Sequence, residues 1–445
     1  MKKYKWAGSV VASAMIISLV SGCGSNESTK LTGDSAVGKS AGSGDTGGKV
    51  VELVFERPKD ATPASQKMIQ AFEAKHKDIK IKLLEVPAST DKVHDDLVTK
   101  FTSGDNSVDI FGMDIVWTAE FGVSGWALPL NDYFKDSELS ALLPGPVAGN
   151  KYKDKLYAIP FYTDAGVLFY RKDILEEAKV TPPKTFDELL KLAKDLKGKG
   201  GTEYGYVSHL NQFEGLNCVA DEFFWGNGGT VLDKDNKVQI DSENNKEALQ
   251  YLVDLVNNGS TPQGATTYVT DDARVVFTEG KSVFMRNWPS AWAKAQEDGS
   301  KVKGKVGIVP VPYGPKGKES SAALGGWDIG INANIDKSKV NAAVTFLKFI
   351  ISEEAQKINA IDGGRLPVLQ STYKDQDVLK ANPHFADLYS AFISAKPRPV
   401  SPIYPQLADV MQIEIHKAIT KKQPVDSALK NMQSQMTDLY KKFNK

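Results

Sequence analysis

The chain has little with which to build a disulfide framework or a metal site. Two cysteines and five scattered histidines stand among its 445 residues, and no two histidines share the spacing of a zincin helix. Neither a cofactor nor a metal is expected. Charge of one sign is also missing. Lys plus Arg and Asp plus Glu both number 55, which leaves no positive excess to neutralise phosphates, so nucleic acid is not an expected partner. A long hydrophobic run is absent too: the uncharged stretch 6–20 breaks at Ser21 and Gly22, short of the roughly 20 residues that a spanning helix needs. What is present, 41% hydrophobic and 25% charged residues, is the balance of a globular chain with sizeable cores.

Lys2, Lys3 and Lys5 ahead of the apolar stretch 6–20 give the order of a secretion signal. The segment closes on Leu19-Val20-Ser21-Gly22-Cys23, which resembles a bacterial lipobox. That resemblance implies a signal peptide over 1–22, cleavage before Cys23, and a lipid on Cys23 that tethers the chain to the extracellular face of the cytoplasmic membrane. Two or more acyl chains hold such a protein stably, where one is marginal. With Cys23 acylated, Cys218 has no intrachain partner and is expected as a buried apolar thiol.

Residues 24–49 hold seven Gly, five Ser and three Thr, the composition of a flexible leash with a root-mean-square span on the order of 28 Å. Two nucleotide motifs fall inside it: Gly33 to Ser40 matches a Walker A loop and Gly42 to Gly47 a dinucleotide fingerprint. Both need a strand before and a helix after to aim backbone N–H groups at phosphate, and neither has them.

From Val50 the pattern turns regular. Strand-like runs at 50–55, 79–86 and 108–113 alternate with helical periods at 64–76 and 91–101, the β-α-β-α-β opening of a mostly parallel sheet. Helices are predicted at 185–197, with Thr185 and Glu188 spaced as a capping box, at 244–257 behind Ser242, and at 339–351, 353–360, 407–419 and 425–443. Strands are predicted near 166–170, 282–284, 306–309 and 327–331. The folded part exceeds the ~250–300 residues at which one core stops growing, so two α/β lobes are expected. No flexible stretch separates them, and short crossings such as 159–164 are expected to join them.

Several blocks along this part resemble the solute-binding lipoproteins of bacterial ABC sugar importers, in their maltose- and trehalose-binding branch. They are Val108-Asp-Ile-Phe-Gly-Met-Asp114 with Trp117 and Ser124-Gly-Trp126, Thr163 to Arg171, Phe213-Glu214-Gly215-Leu216, Phe277 to Pro289, and Gly325-Gly326-Trp327. The resemblance implies a two-lobed, type II periplasmic-binding-protein-like α/β fold, each lobe a mostly parallel sheet flanked by helices, joined by a multi-segment hinge. The first lobe would comprise 50–162 and about 306–365, the second about 163–305 and 366–445. It also implies a monomer that performs no reaction, holds a carbohydrate in the interlobe cleft and passes it to ABC permease subunits.

A sugar offers hydroxyls and apolar C–H faces, so its site needs fixed charged or amide groups beside flat rings. By position in the matched blocks, Asp114, Asp164, Trp288, Gly326 and Trp327 are the expected ligand contacts. Arg398, Glu214 and Asp60 join them, as does His94, which stands where those relatives have Arg; Ser290 stands where they have an aromatic. Each residue also has a plainer reading. Trp117, Trp126, Trp225, Trp288, Trp292 and Trp327 suit a core, Asp114 and Asp164 suit helix caps or turns, Arg398 between prolines suits a solvated turn, and His94 suits a helix surface. A rival function is a secreted glycoside hydrolase using Asp114 and Asp164 as its carboxylate pair, and a third is a sensory lipoprotein.

Overall fold

Leu53 and Phe55 on one strand, and Met68 and Phe72 on the helix after it, are buried against each other's elements, the outcome of a period-2 run followed by a period-3.6 one. The computed structural model describes residues 50–443 except 234 and 236. The signal peptide, Cys23, the leash and the two phosphate-loop motifs lie outside the described residues.

The strands, in chain order, are β1 (Val51–Pro58), β2 (Ile79–Val86), β3 (Ile110–Asp114), the short β4 (Lys151–Tyr152) and β5 (Lys155–Leu156), β6 (Ala158–Ala165), β7 (Val167–Arg171), β8 (Tyr204–Val207), β9 (Ser282–Asn287), β10 (Val306–Pro310) and β11 (Leu324–Ile331). They form two main sheets, ordered β2-β1-β3-β11-β6 and β10-β7-β9-β8. In the first, β2, β1 and β3 run parallel, joined by crossover helices Ala64–Lys75 and Thr90–Thr102. There the expected parallel arrangement holds. Elsewhere it is corrected: β11 lies antiparallel to both neighbours, and in the second sheet only β8 and β9 are parallel. The reason is connectivity. The chain leaves the first sheet through β6, with Gly166 alone before β7 of the second, and returns through β11, so the outgoing and returning strands run in opposite directions.

Each sheet is covered by its own helices and builds its own core. Phe72 of the first crossover helix meets Phe346 edge-on at 4.9 Å between ring centres, while Leu407, Met411 and Ile415 of the Tyr404–Ile419 helix pack with Leu216 and Phe224 under the second sheet. The chain passes between the sheets at Gly166, between Pro310 and Leu324, and again after the Glu353–Gly363 helix. The expected boundaries shift accordingly. Residues 159–164 belong to a full strand of the first sheet rather than to a free crossing, and β10 pairs with β7 in the second, so that crossing follows Pro310 instead of preceding Val306.

Candidate functional site

Residues from both sheets line one cleft of about 640 Å3. Asp60 sits in the loop after β1, Asp114 ends β3, Asp164 lies near the end of β6, and Gly326 and Trp327 lie on β11. The second sheet side supplies Trp288, just past β9, and Glu214, at the start of the Glu214–Gly226 helix, while Arg398 enters from the segment before the Tyr404–Ile419 helix. All eight line the cleft. His94 does not: its Nε2 is 2.6 Å from a Glu120 carboxylate oxygen and its ring meets Trp117 edge-on. On the Thr90–Thr102 helix the first residues, Thr90, Asp91 and Lys92, line the cleft; His94 is spent on Glu120 and Trp117 instead. Burial works against charge on His94, but Glu120 outweighs it and raises its pKa.

The floor is a set of buried ion pairs. Arg398 donates from Nη2 to Asp114 at 2.7 Å and from Nη1 to Glu214 at 2.5 Å. Glu214 also accepts from the Tyr404 hydroxyl at 2.6 Å and from Asn217 at 3.0 Å. Burial nevertheless pushes the pKa of Glu214 up, with Arg398 opposing. Asp114 fits its plainer reading, since the oxygen that takes Arg398 also accepts the Val116 N–H at 3.3 Å and caps the turn after β3. Arg398, far from a solvated turn charge, is buried. On the first-lobe wall, Arg365 donates to Asp60 at 2.6 Å, Arg57 lies 3.6 Å from its other oxygen, and the Ser65 hydroxyl donates to that oxygen at 2.5 Å. Burial alone would raise Asp60; Arg365 and Arg57 together hold it below the usual carboxylate range. Three arginines thus face three carboxylates, and the floor is neutral.

Asp164 is different. It is buried, with 8% of its surface exposed, and burial, aided by Asp114 and opposed by Arg365 and Arg286, pushes its pKa up to about 8. Its Oδ1 has no hydrogen-bond partner among the described residues, which leaves a protonated carboxyl able to donate or accept. Burial and the nearby Glu214 push Asp91 up to about 6, and its carboxylate accepts the Glu214 N–H at 3.2 Å, linking a first-lobe helix to a second-lobe one.

Trp327 and Trp288 are each half-buried, with part of the ring open to the cleft. Trp117 braces Trp327 edge-on at 5.6 Å between ring centres. Gly326 holds φ at +137°, and a Cβ there would come within 2.7 Å of the Tyr162 carbonyl oxygen, so only glycine lets β11 kink ahead of Trp327. The plain reading suits Trp117 and Trp225, both core residues, and Trp292, whose indole N–H is spent on the Ala381 carbonyl at 3.1 Å. Cys218 is a buried thiol, as expected.

Arg57, Arg365 and Asp91 line the cleft without having been expected there, and Arg286, which does not line it, acts on Asp164 through its charge. Arg286 stands two residues before Trp288 in a block already singled out, and that proximity is the one signal that pointed to it. Of the carboxylate pair a hydrolase would use, Asp114 is held by Arg398 and is not a free base or nucleophile.

Residues 58–357 match the family model described as bacterial extracellular solute-binding protein. A probable ABC transporter-binding protein of Deinococcus radiodurans is 34% identical over 365 residues, spanning 80% of this chain and 86% of that one. Among solved structures, maltose-bound MalE3 of T. maritima is 37% identical, with a TM-score of 0.84 over 88% of this chain and 100% of its own. A ribitol complex of an ABC transporter solute-binding protein from Agrobacterium radiobacter is 25% identical, with a TM-score of 0.79 over 88% and 99% of the two chains. With the family model matching most of the folded chain and both sheets lining one cleft, this protein belongs to the bacterial extracellular solute-binding proteins, which hold a ligand and do not transform it.

Proposed function

We propose that the cleft captures a neutral di- or oligosaccharide, an α-glucoside of the maltose or trehalose kind, and that the chain delivers it to the permease of an ABC importer. In this reading the protein is a monomer held by lipid on Cys23 at the outer face of the cytoplasmic membrane, and Asp114, Asp164, Glu214, Arg398, Asp60, Trp288, Gly326 and Trp327 form the binding site. The observation that carries it is the pairing of charge in the floor beside two partly open indoles from opposite sheets. In the floor a charged ligand would meet charges that are already paired, whereas hydroxyls find polar groups along the cleft and C–H faces find rings. The T. maritima relative is a maltose complex and the A. radiobacter relative a ribitol complex, both neutral polyols. Ligand would favour lobe closure by its greater affinity for the closed state. A thermal-shift panel tests the reading: maltose, trehalose and maltotriose should raise the melting temperature and be recovered unchanged, while glucuronate should not. A shift with the acid alone, or sugar cleavage, would contradict it.

A further inference from the structure

Behind Trp288 lies a charge pair that does not line the cleft. Arg286 and Glu222, both 3% exposed, form a two-pronged pair, Nε to Oε2 at 2.8 Å and Nη2 to Oε1 at 2.5 Å. The guanidinium carbon sits 4.2 Å from the centre of the Trp288 ring. Its remaining Nη1 donates to His209 Nε2 at 3.0 Å, and the His209 ring lies nearly parallel to the indole. Burial and Arg286 both depress the His209 pKa, so the imidazole is neutral and free to accept. Glu222 in turn touches two of the crossings between sheets. Its Oε1 accepts the Ala323 N–H at 3.2 Å, and a Cβ on Gly166 would stand 1.8 Å from that same oxygen. Gly166 therefore has no side chain to spare at the β6–β7 crossing, because the pair fills the space.

Two apolar residues of similar volume would serve stability as well or better than a fully buried ion pair. What they would not supply is a fixed fork on one side and a flat cationic surface on the other. We propose that the Glu222–Arg286 pair is a positioning device: anchored on the crossings at Gly166 and Ala323, it holds the Trp288 ring at a set angle for a ligand in the cleft. Its use for a sugar rests on the function proposed above; its hold on the ring does not.

The near-ultraviolet circular dichroism of Trp288, taken as the difference between the wild type and Trp288→Phe without ligand, reports how rigidly the ring is held. The paired variant Glu222→Gln with Arg286→Met removes both charges, so neither is left buried alone. In that background the Trp288 difference band should fall at least twofold, with far-ultraviolet spectrum and cooperative melting retained. Arg286→Lys, which keeps the charge but loses the fork, should show the same loss. An undiminished band in either background overturns the proposal, as would loss of the band only together with loss of cooperative melting. Maltose titration of the same proteins separates the two readings: a wild type that binds no sugar removes the sugar function and leaves the band result standing.

Discussion

Asp164 and Arg398 show at the scale of one residue how burial sets chemistry. Asp164 carries a native pKa of about 8 against an ordinary value of 3.8. Between those values the folded protein keeps a proton that the unfolded chain has released, so this group's contribution to stability is full below about pH 4 and is lost as pH rises through 8. Asp164→Asn should therefore flatten the fall of the urea midpoint between pH 5 and pH 8; an unaltered slope would assign the proton elsewhere. Arg398 answers two buried carboxylates at once. Arg398→Met strands both, and urea unfolding should register a loss of about 3–5 kcal/mol. A loss below ~1 kcal/mol would mean that the pair is solvated rather than buried.

Among the elements, the strand β11 turns a backbone constraint into part of the cleft wall. Gly326 at φ +137° and the register shift between Trp327 and Asp328 place an indole at the cleft wall. Gly326→Ala should cost about 1–3 kcal/mol in a melt and weaken ligand binding, because the side chain meets a carbonyl and rotates Trp327 away. Retained affinity would show that the kink does not aim the ring. Elements with one wet face were legible in the chain. The strand at 79–86 and the helix at 425–443 coincide with Ile79–Val86 and Val425–Phe443, and Thr185 caps Phe186–Leu196 through the expected box with Glu188. Elements buried on all sides were legible only in part: the fully buried β3 and β9 were expected, others were not. Every residue of the Glu214–Gly226 helix is buried and so carries no polar face for a period to reveal. The same holds for β6, buried throughout and mistaken in part for a crossing.

Across the whole chain, the cleft is built from ion pairs that local pattern does not join. Arg398 lies 284 residues from Asp114 and Arg365 lies 305 from Asp60; no spacing rule spans that distance. Asp114, Asp164, Trp288 and Trp327 were reached through motif resemblance, whereas their arginine partners, apart from Arg398, emerged only from the folded chain. His94 failed for a related reason, since the helix bearing it lines the cleft with Thr90, Asp91 and Lys92 instead. If the two sheets offer one indole each to a single neutral saccharide, as proposed, isothermal titration of maltose into the wild type should give one site per chain, and Trp288→Ala and Trp327→Ala should each lose about 1–3 kcal/mol of binding. Unchanged affinity in both variants would mean that the rings do not hold the sugar.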